Sequence, residues 1–219
     1  MPDSSFEAYR LLWCFQALAS AAIGGRDDAM GLAHASLIAV VAATPSRPLW
    51  AAAAAVRVLS TVSKMPNCWD STYWQLMTDA ALLWCLATSQ PFARLQATVR
   101  AQMAVFYAAS AFWKLNTSFL DPKTSCASVF AAQHAALYAP AAAPWAVAVA
   151  PAATLAVEAL VAAALALSPR AGGVLALGFH GAICATPPPN NVATFALSVA
   201  PQLALFAPRV DDALVRPAT

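Results

Sequence analysis

Residues 143–168 read APWAVAVAPAATLAVEALVAAALALS, and Glu158 is the only charged side chain in this stretch. A helix that crosses a bilayer needs about 20 consecutive, mostly apolar residues. The stretch is long enough, and its apolar residues are continuous. Strands of a membrane barrel instead alternate apolar and polar residues over segments of about ten. Residues 143–168 therefore predict a membrane-spanning α-helix.

The composition of the whole chain extends this prediction. Of 219 residues, 61% are hydrophobic and only 10% are charged, whereas soluble domains carry about 25% charged residues. These values exclude a water-soluble globule and a disordered chain. At about 20 residues per span, we expect an all-α, polytopic transmembrane bundle of about 6–8 helices, folded as one domain over residues 1–219.

Prolines and polar segments divide the chain into apolar runs that we interpret as helices. These runs are 11–23, 30–44, 49–63, 73–90, 98–115, 124–139, 143–168, 171–186 and 192–207. Pro151 and Pro201 fall inside runs and predict kinks, which membrane helices tolerate. The run 124–139 contains Gln133 and His134, so we expect it not to span.

Lysine and arginine on alternate loops predict the orientation of this integral, multi-pass membrane protein. One side carries Arg10, Arg47, Arg94, Arg170, Arg209 and Arg216, and the other carries Arg26, Lys64 and Lys123. The positive excess on the first side predicts that both termini lie in the cytoplasm or its organellar equivalent. Segments 68–72, 114–121 and 186–191 would then form a polar rim on the non-cytoplasmic face.

Charge and cysteine content exclude several kinds of site. The net charge is only +2, and the basic residues are scattered, so no nucleic-acid partner is expected. The five cysteines form no CxxC pair and no cluster with histidine, so no metal site is expected. A disulfide between Cys68 and Cys126 stays open. No sequence motif identifies a cofactor.

Ionisable residues inside the apolar runs are the candidates for function, because each costs about 2.5–3.5 kcal/mol to insert. For Lys114 there are two interpretations: a cation at a helix end with Asn116 as a left-handed cap, or a partly desolvated amine that acts as a base. Glu158 is either a structural partner of Arg57, Arg100 or Lys114, or a catalytic group.

The remaining ionisable residues favour structural roles. His180 is expected to be a hydrogen-bonded histidine of the bundle, although a ligand-binding role stays open. Asp79 and Arg100 are expected to pair across two adjacent helices. Arg57 is expected to extend its charged end to the membrane surface.

Two blocks of the sequence resemble the HTTM (horizontally transferred transmembrane) family, which includes the vitamin K-dependent γ-carboxylases. The first is FWKLNTSFLDP at 112–122, followed by Ser125-Cys126-Ala127, with the lysine–leucine–asparagine signature. The second begins at Glu158 and continues through Pro169-Arg170, Phe179-His180 and the Pro-Asn-Asn turn before Phe195. Together the blocks make the resemblance cover about residues 8–207.

The resemblance implies an all-helical membrane bundle in which Lys114 matches the lysine that deprotonates vitamin K hydroquinone in the carboxylases. One departure is Thr72, which stands where the carboxylases carry a functional histidine, in the segment Trp69-Asp70-Ser71-Thr72-Tyr73. A hydroxyl cannot replace imidazole in proton transfer near neutral pH. The chain also lacks the carboxylases' large extramembrane part, so we do not expect carboxylation of a protein.

Two functional hypotheses follow. In the first, the chain binds or acts on a lipophilic small molecule, such as a quinone, at the non-cytoplasmic rim. Lys114 and Glu158 would be catalytic, and Asn116, Asp121 and His180 would bind the ligand. In the second, the chain is a non-catalytic subunit of a larger respiratory or photosynthetic complex, with membrane lipid and other membrane subunits as partners. Whether it is an enzyme stays open.

Overall fold

The computed structural model describes residues 4–23, 29–66, 70–187 and 192–206. Helix makes up 85% of this part of the chain, and no strand occurs in it. The prediction of an all-α fold is therefore confirmed.

Ten α-helices and one short 3-10 helix follow one another along the described chain. They are α1 (Ser4–Ile23), α2 (Ala29–Ala43), α3 (Arg47–Val62), α4 (Asp70–Ala87), α5 (Phe92–Trp113), α6 (Thr117–Leu120), α7 (Cys126–Tyr138), the 3-10 helix (Pro140–Ala142), α8 (Ala143–Leu167), α9 (Pro169–Cys184) and α10 (Val192–Ala204). Each predicted run overlaps one of the longer helices, and of the described α-helices only α6 lies outside all of the runs. Pro151 and Pro201 lie inside α8 and α10, as expected.

Local polar residues explain where several helices begin. Ser46 precedes α3, its hydroxyl accepts a hydrogen bond from the backbone N–H of Leu49, and Pro48 occupies the first turn.

The sequence placed the start of α5 at residue 98, but the helix begins at Phe92, directly after Pro91. The polar first turns of α5 were missed because hydropathy alone defined the run.

The chain divides into two compact units. The first comprises Met1–Arg100 with Leu197–Thr219, and the second comprises Ala101–Ala196. In the first unit α1, α2, α3 and α4 pack in sequence order around buried Tyr9, Trp13 and Trp50. In the second unit α7, α8 and α9 pack against one another in the same way. The expected single domain over 1–219 stays a prediction.

One helix of the described chain is long and apolar enough to cross a membrane. It is α8 together with the 3-10 helix before it, Pro140–Leu167, and only 17% of its most apolar window is buried. With 25 residues, α8 itself is about 38 Å long, more than the bilayer's hydrocarbon core of about 30 Å. This helix supports an association with a membrane. The expected bundle of 6–8 spans stays a prediction, because one described helix passes as a span.

The short helix α7 is compatible with the expectation that 124–139 does not span. Its 13 residues extend about 20 Å, which is shorter than the hydrocarbon core. Gln133 and His134 lie within it.

Candidate functional site

The second unit places Lys114 where α5 ends and the chain turns into α6. Asn116 organises this turn with both ends of its amide: Nδ2 donates to the carbonyl of Trp113 at 2.7 Å, and Oδ1 accepts from the N–H of Phe119 at 2.8 Å. Its φ of −142° is extended, so the expected left-handed cap of α5 is wrong. Asn116 is instead the N-cap of α6.

The ammonium of Lys114 contacts the carboxylate of Glu158 on α8. Its Nζ lies 2.9 Å from Oε1 and 2.7 Å from Oε2. Of the three partners considered for Glu158, the structure thus selects Lys114. The Lys114 side chain is 23% exposed and that of Glu158 only 9%, so Lys114 is the more exposed member of the pair.

Ser110 is a third member of the site, which the sequence did not reveal. Its hydroxyl accepts a hydrogen bond from Lys114 Nζ at 2.6 Å and donates one to Glu158 Oε2 at 3.0 Å. The available signal was its position four residues before Lys114, because residues four apart share one face of a helix. We call Ser110, Lys114 and Glu158 the lysine site.

Aromatic and electrostatic surroundings complete the lysine site. Lys114 Nζ lies 5.6 Å from the ring centroid of Phe119, a cation–π distance. The two opposite charges of Lys114 and Glu158 cancel, which a buried carboxylate requires in an apolar environment. Chemically, the site brings together an amine, a carboxylate and a bridging hydroxyl.

Three residues predicted to bind a ligand have other contacts. Asn116 caps α6, and Asp121 Oδ1 accepts from the N–H of Lys123 at 2.9 Å in the following turn. His180, on α9, is buried, and its Nε2 lies 2.5 Å from the hydroxyl of Tyr107. The ring of Phe195 packs against His180. His180 is thus a hydrogen-bonded histidine of the bundle, and its described contacts do not include the lysine site.

The first unit contains a buried ion pair that differs from the predicted one. Asp79 pairs with Arg57 rather than with Arg100, with 2.8 Å between Oδ2 and Nε. Arg100 instead donates from Nε to the carbonyl of Leu205 at 2.8 Å. The prediction was wrong because α4 packs against α3, which carries Arg57. Because α3 packs against α4, Arg57 is buried, and the expectation that its charged end extends to the membrane surface is wrong.

A groove of about 340 Å³ runs between α7, the 3-10 helix and α8 in the second unit. Its walls are alanines together with the rings of His134 and Tyr138. The polar atoms of both rings already have backbone partners. His134 Nε2 lies 3.1 Å from the carbonyl of Ala182 on α9, and its Nδ1 lies 3.0 Å from that of Phe130 on α7. The Tyr138 hydroxyl donates at 3.3 Å to the carbonyl of Ala185, directly after α9. The groove therefore offers an occupant almost only apolar contacts.

Histidine, cysteine, aspartate and glutamate side chains are the groups that could hold a metal ion, and cysteines could also form a disulfide. Across 4–23, 29–66, 70–187 and 192–206, no three histidine, cysteine, aspartate or glutamate side chains are grouped as a metal ion would require. Cys68 lies outside the described residues, and so do Trp69 and most of 186–191. The Cys68–Cys126 disulfide and the shared polar rim therefore stay predictions.

No protein-family model, curated protein or solved structure matches this chain.

Proposed function

We propose that this chain is a multi-pass membrane protein of the HTTM type that binds or acts on a lipophilic small molecule with a weakly acidic hydroxyl, such as a reduced quinone. The ligand's hydroxyl would meet Lys114 at the non-cytoplasmic rim. The observation that carries the proposal is the partly exposed Lys114 side chain, whose ammonium is held by Glu158 and Ser110 among apolar helices.

A membrane location is supported by apolar side chains that point away from the protein. On α8 and α9, Leu160, Leu167, Val174 and Leu177 are all more than half exposed. An apolar surface of this kind is costly in water and favourable in lipid. The groove beside α8 would take a lipid acyl chain for the same reason.

A role in ligand binding is supported by the free energy that it costs to place the charges of the lysine site among membrane helices. Ionisable residues among membrane helices are expensive, and they are functional candidates by default. The Lys114 side chain is also partly exposed, so a ligand can approach the pair from that side. An incoming hydroxyl could donate its proton to Glu158, while Lys114 stabilises the oxyanion that remains.

The alternative role, a structural subunit of a larger membrane complex, is supported by the same exposed faces of α8 and α9. Helices without partners can be covered by lipid or by neighbouring subunits. In that case Lys114 and Glu158 would only hold α5 and α8 together, and replacing both would leave every activity of the complex unchanged.

The experiment that separates these roles measures binding of a reduced naphthoquinone to the full chain in nanodiscs. We expect saturable binding that is lost in the double variant Lys114→Met/Glu158→Leu, which removes both charges and leaves no buried charge unpaired. The matched control is Lys123→Met, because Lys123 is an exposed lysine of the same connecting segment. Binding that is absent from the wild type, or equal in the double variant, would contradict the proposal.

A further inference from the structure

The first unit contains a second buried charged site, centred on Arg57 and Asp79. Their side chains are 9% and 3% exposed. The guanidinium Nη2 of Arg57 donates to Gln16 Oε1 at 2.6 Å, and the indole Nε1 of Trp13 donates to Asp79 Oδ1 at 2.9 Å. The guanidinium also lies 5.1 Å from the centroid of the Trp13 ring. Three helices, α1, α3 and α4, thus meet at one neutral ion pair.

One donor of this cluster has no protein partner. Arg57 Nη1 is buried and makes no hydrogen bond within the described part of the chain. Leaving a buried charged donor unsatisfied is expensive, whereas hydrogen bonds to charged groups are among the stronger ones in proteins. A small hydrogen-bond acceptor beside Nη1 would remove this cost.

A cavity with the volume for such an acceptor lies against the ion pair. It measures about 10 Å³ and is lined by residues of α1, α3, α4 and the part of α10 that belongs to the same unit. Besides the ion pair, its polar walls include Gln75, Thr78 and Gln202. The Thr78 hydroxyl already donates to the carbonyl of Trp74 at 3.0 Å, so its lone pairs are available to accept.

We propose that this cavity binds one water molecule, which accepts a hydrogen bond from Arg57 Nη1 and donates to acceptors that line the cavity, Thr78 Oγ1 among them. The volume matches the roughly 10–15 Å³ that a single water requires. Charge excludes an ion, because Arg57 and Asp79 neutralise each other. The bound water completes the hydrogen bonding of the guanidinium and links Arg57 on α3 to Thr78 on α4, independently of the lysine site.

The test is hydroxyl-radical footprinting by X-ray radiolysis of the full chain in nanodiscs. Bound water generates radicals where it sits, so buried side chains beside it are oxidised. Tyr9 and Trp13 line the cavity, with 1% and 2% of their surface exposed. The matched controls are Tyr107 and Trp50, each 1% exposed and outside the cavity lining.

We expect Tyr9 and Trp13 to be oxidised several-fold faster than Tyr107 and Trp50. Equal rates within each matched pair would overturn the proposal. A second measurement uses Thr78→Leu, which fills the cavity and should bring Tyr9 and Trp13 down to the control rates. If this variant folds and the oxidation of Tyr9 and Trp13 stays fast, the water is not in this cavity and the proposal fails.

Discussion

At the scale of single residues, the lysine site depends on two side chains that only the fold brings together. Lys114 and Glu158 are 44 positions apart, and the sequence identified both as costly ionisable residues among apolar neighbours. It offered three basic partners for Glu158 without deciding among them, because charge type carries no information on which helices touch. Ser110 was missed altogether, since one serine in an apolar helix is unremarkable until its neighbours are known.

We expect Lys114→Met to lower the free energy of unfolding by about 3 kcal/mol, at the low end for breaking a buried pair, because the lysine is partly exposed. The double variant Lys114→Met/Glu158→Leu should recover most of this loss, since no charge remains unpaired. Denaturant unfolding in detergent of the wild type, both single variants and the double variant measures this coupling. Purely additive losses would contradict the pairing of Lys114 with Glu158.

The ion pair of the first unit gives a second residue-scale prediction. Asp79→Leu should be strongly destabilising because it leaves the buried Arg57 without a counter-charge. Adding Arg57→Met should restore stability, whereas adding Arg100→Met should not, since Arg100 bonds to the carbonyl of Leu205. Thermal unfolding of these variants checks the partner directly. Recovery with Arg100→Met instead would favour the pairing that the sequence first suggested.

At the scale of helices, the sequence predicted the breaks between helices more accurately than the residues at which individual helices begin. Each predicted break coincides with a helix boundary: Gln90 and Pro91 lie between α4 and α5, whereas Pro48 and Pro169 occupy the first turns of α3 and α9. Proline is found at such boundaries because it lacks a backbone donor and its φ is fixed. The start of α5 was misplaced, since polar residues in a first helical turn reduce hydropathy without preventing a helix. The short helix α6 was not predicted, because four residues are too few for any periodic pattern.

The turn between α8 and α9 gives a prediction for one glycine. A Cβ added to Gly172 would lie 2.4 Å from the backbone nitrogen of Leu165, so the two helices could not keep their approach. We expect Gly172→Ala to destabilise the protein by about 1–3 kcal/mol. The measurement is denaturant unfolding in detergent.

Gly178 and Gly181 on the same helix are the matched controls, because nothing lies within 4 Å of their added Cβ. Alanine there should be neutral, or stabilising by about 0.5–1 kcal/mol, since glycine is unfavourable inside helices. A Gly172→Ala variant as stable as these two would show that α8 and α9 are not so closely packed.

At the scale of the whole molecule, the long and continuous apolar runs were sufficient for the all-α class, because membrane strands alternate apolar and polar residues over segments of about ten. The number of spans does not follow from composition in the same way. Only Pro140–Leu167 has both the length and the hydropathy of a span within the described chain. Helices such as α1 and α5 combine apolar residues with buried polar groups, including Arg10 and Gln96. Average hydropathy does not distinguish helices of this kind from helices at a protein surface.

The orientation predicted from positive charges can be tested on native side chains. The chain has three lysines, Lys64, Lys114 and Lys123, and all are expected on the non-cytoplasmic face. Lys64 and Lys123 are exposed. Between them the sequence predicts two spans, α4 and α5, with the exposed Arg94 on the cytoplasmic side. Arg94→Lys therefore supplies a matched marker for that side.

In the proposed arrangement, this chain is a multi-pass protein with its lysine site at the non-cytoplasmic rim. The most direct test labels sealed vesicles with a membrane-impermeant amine reagent and identifies the labelled lysines by mass spectrometry. We predict that Lys64 and Lys123 react in right-side-out vesicles and are protected in inverted ones. In the Arg94→Lys variant, residue 94 should react only in inverted vesicles. If all three positions react from one side, or if Lys64 and Lys123 react from opposite sides, the proposed membrane arrangement is wrong.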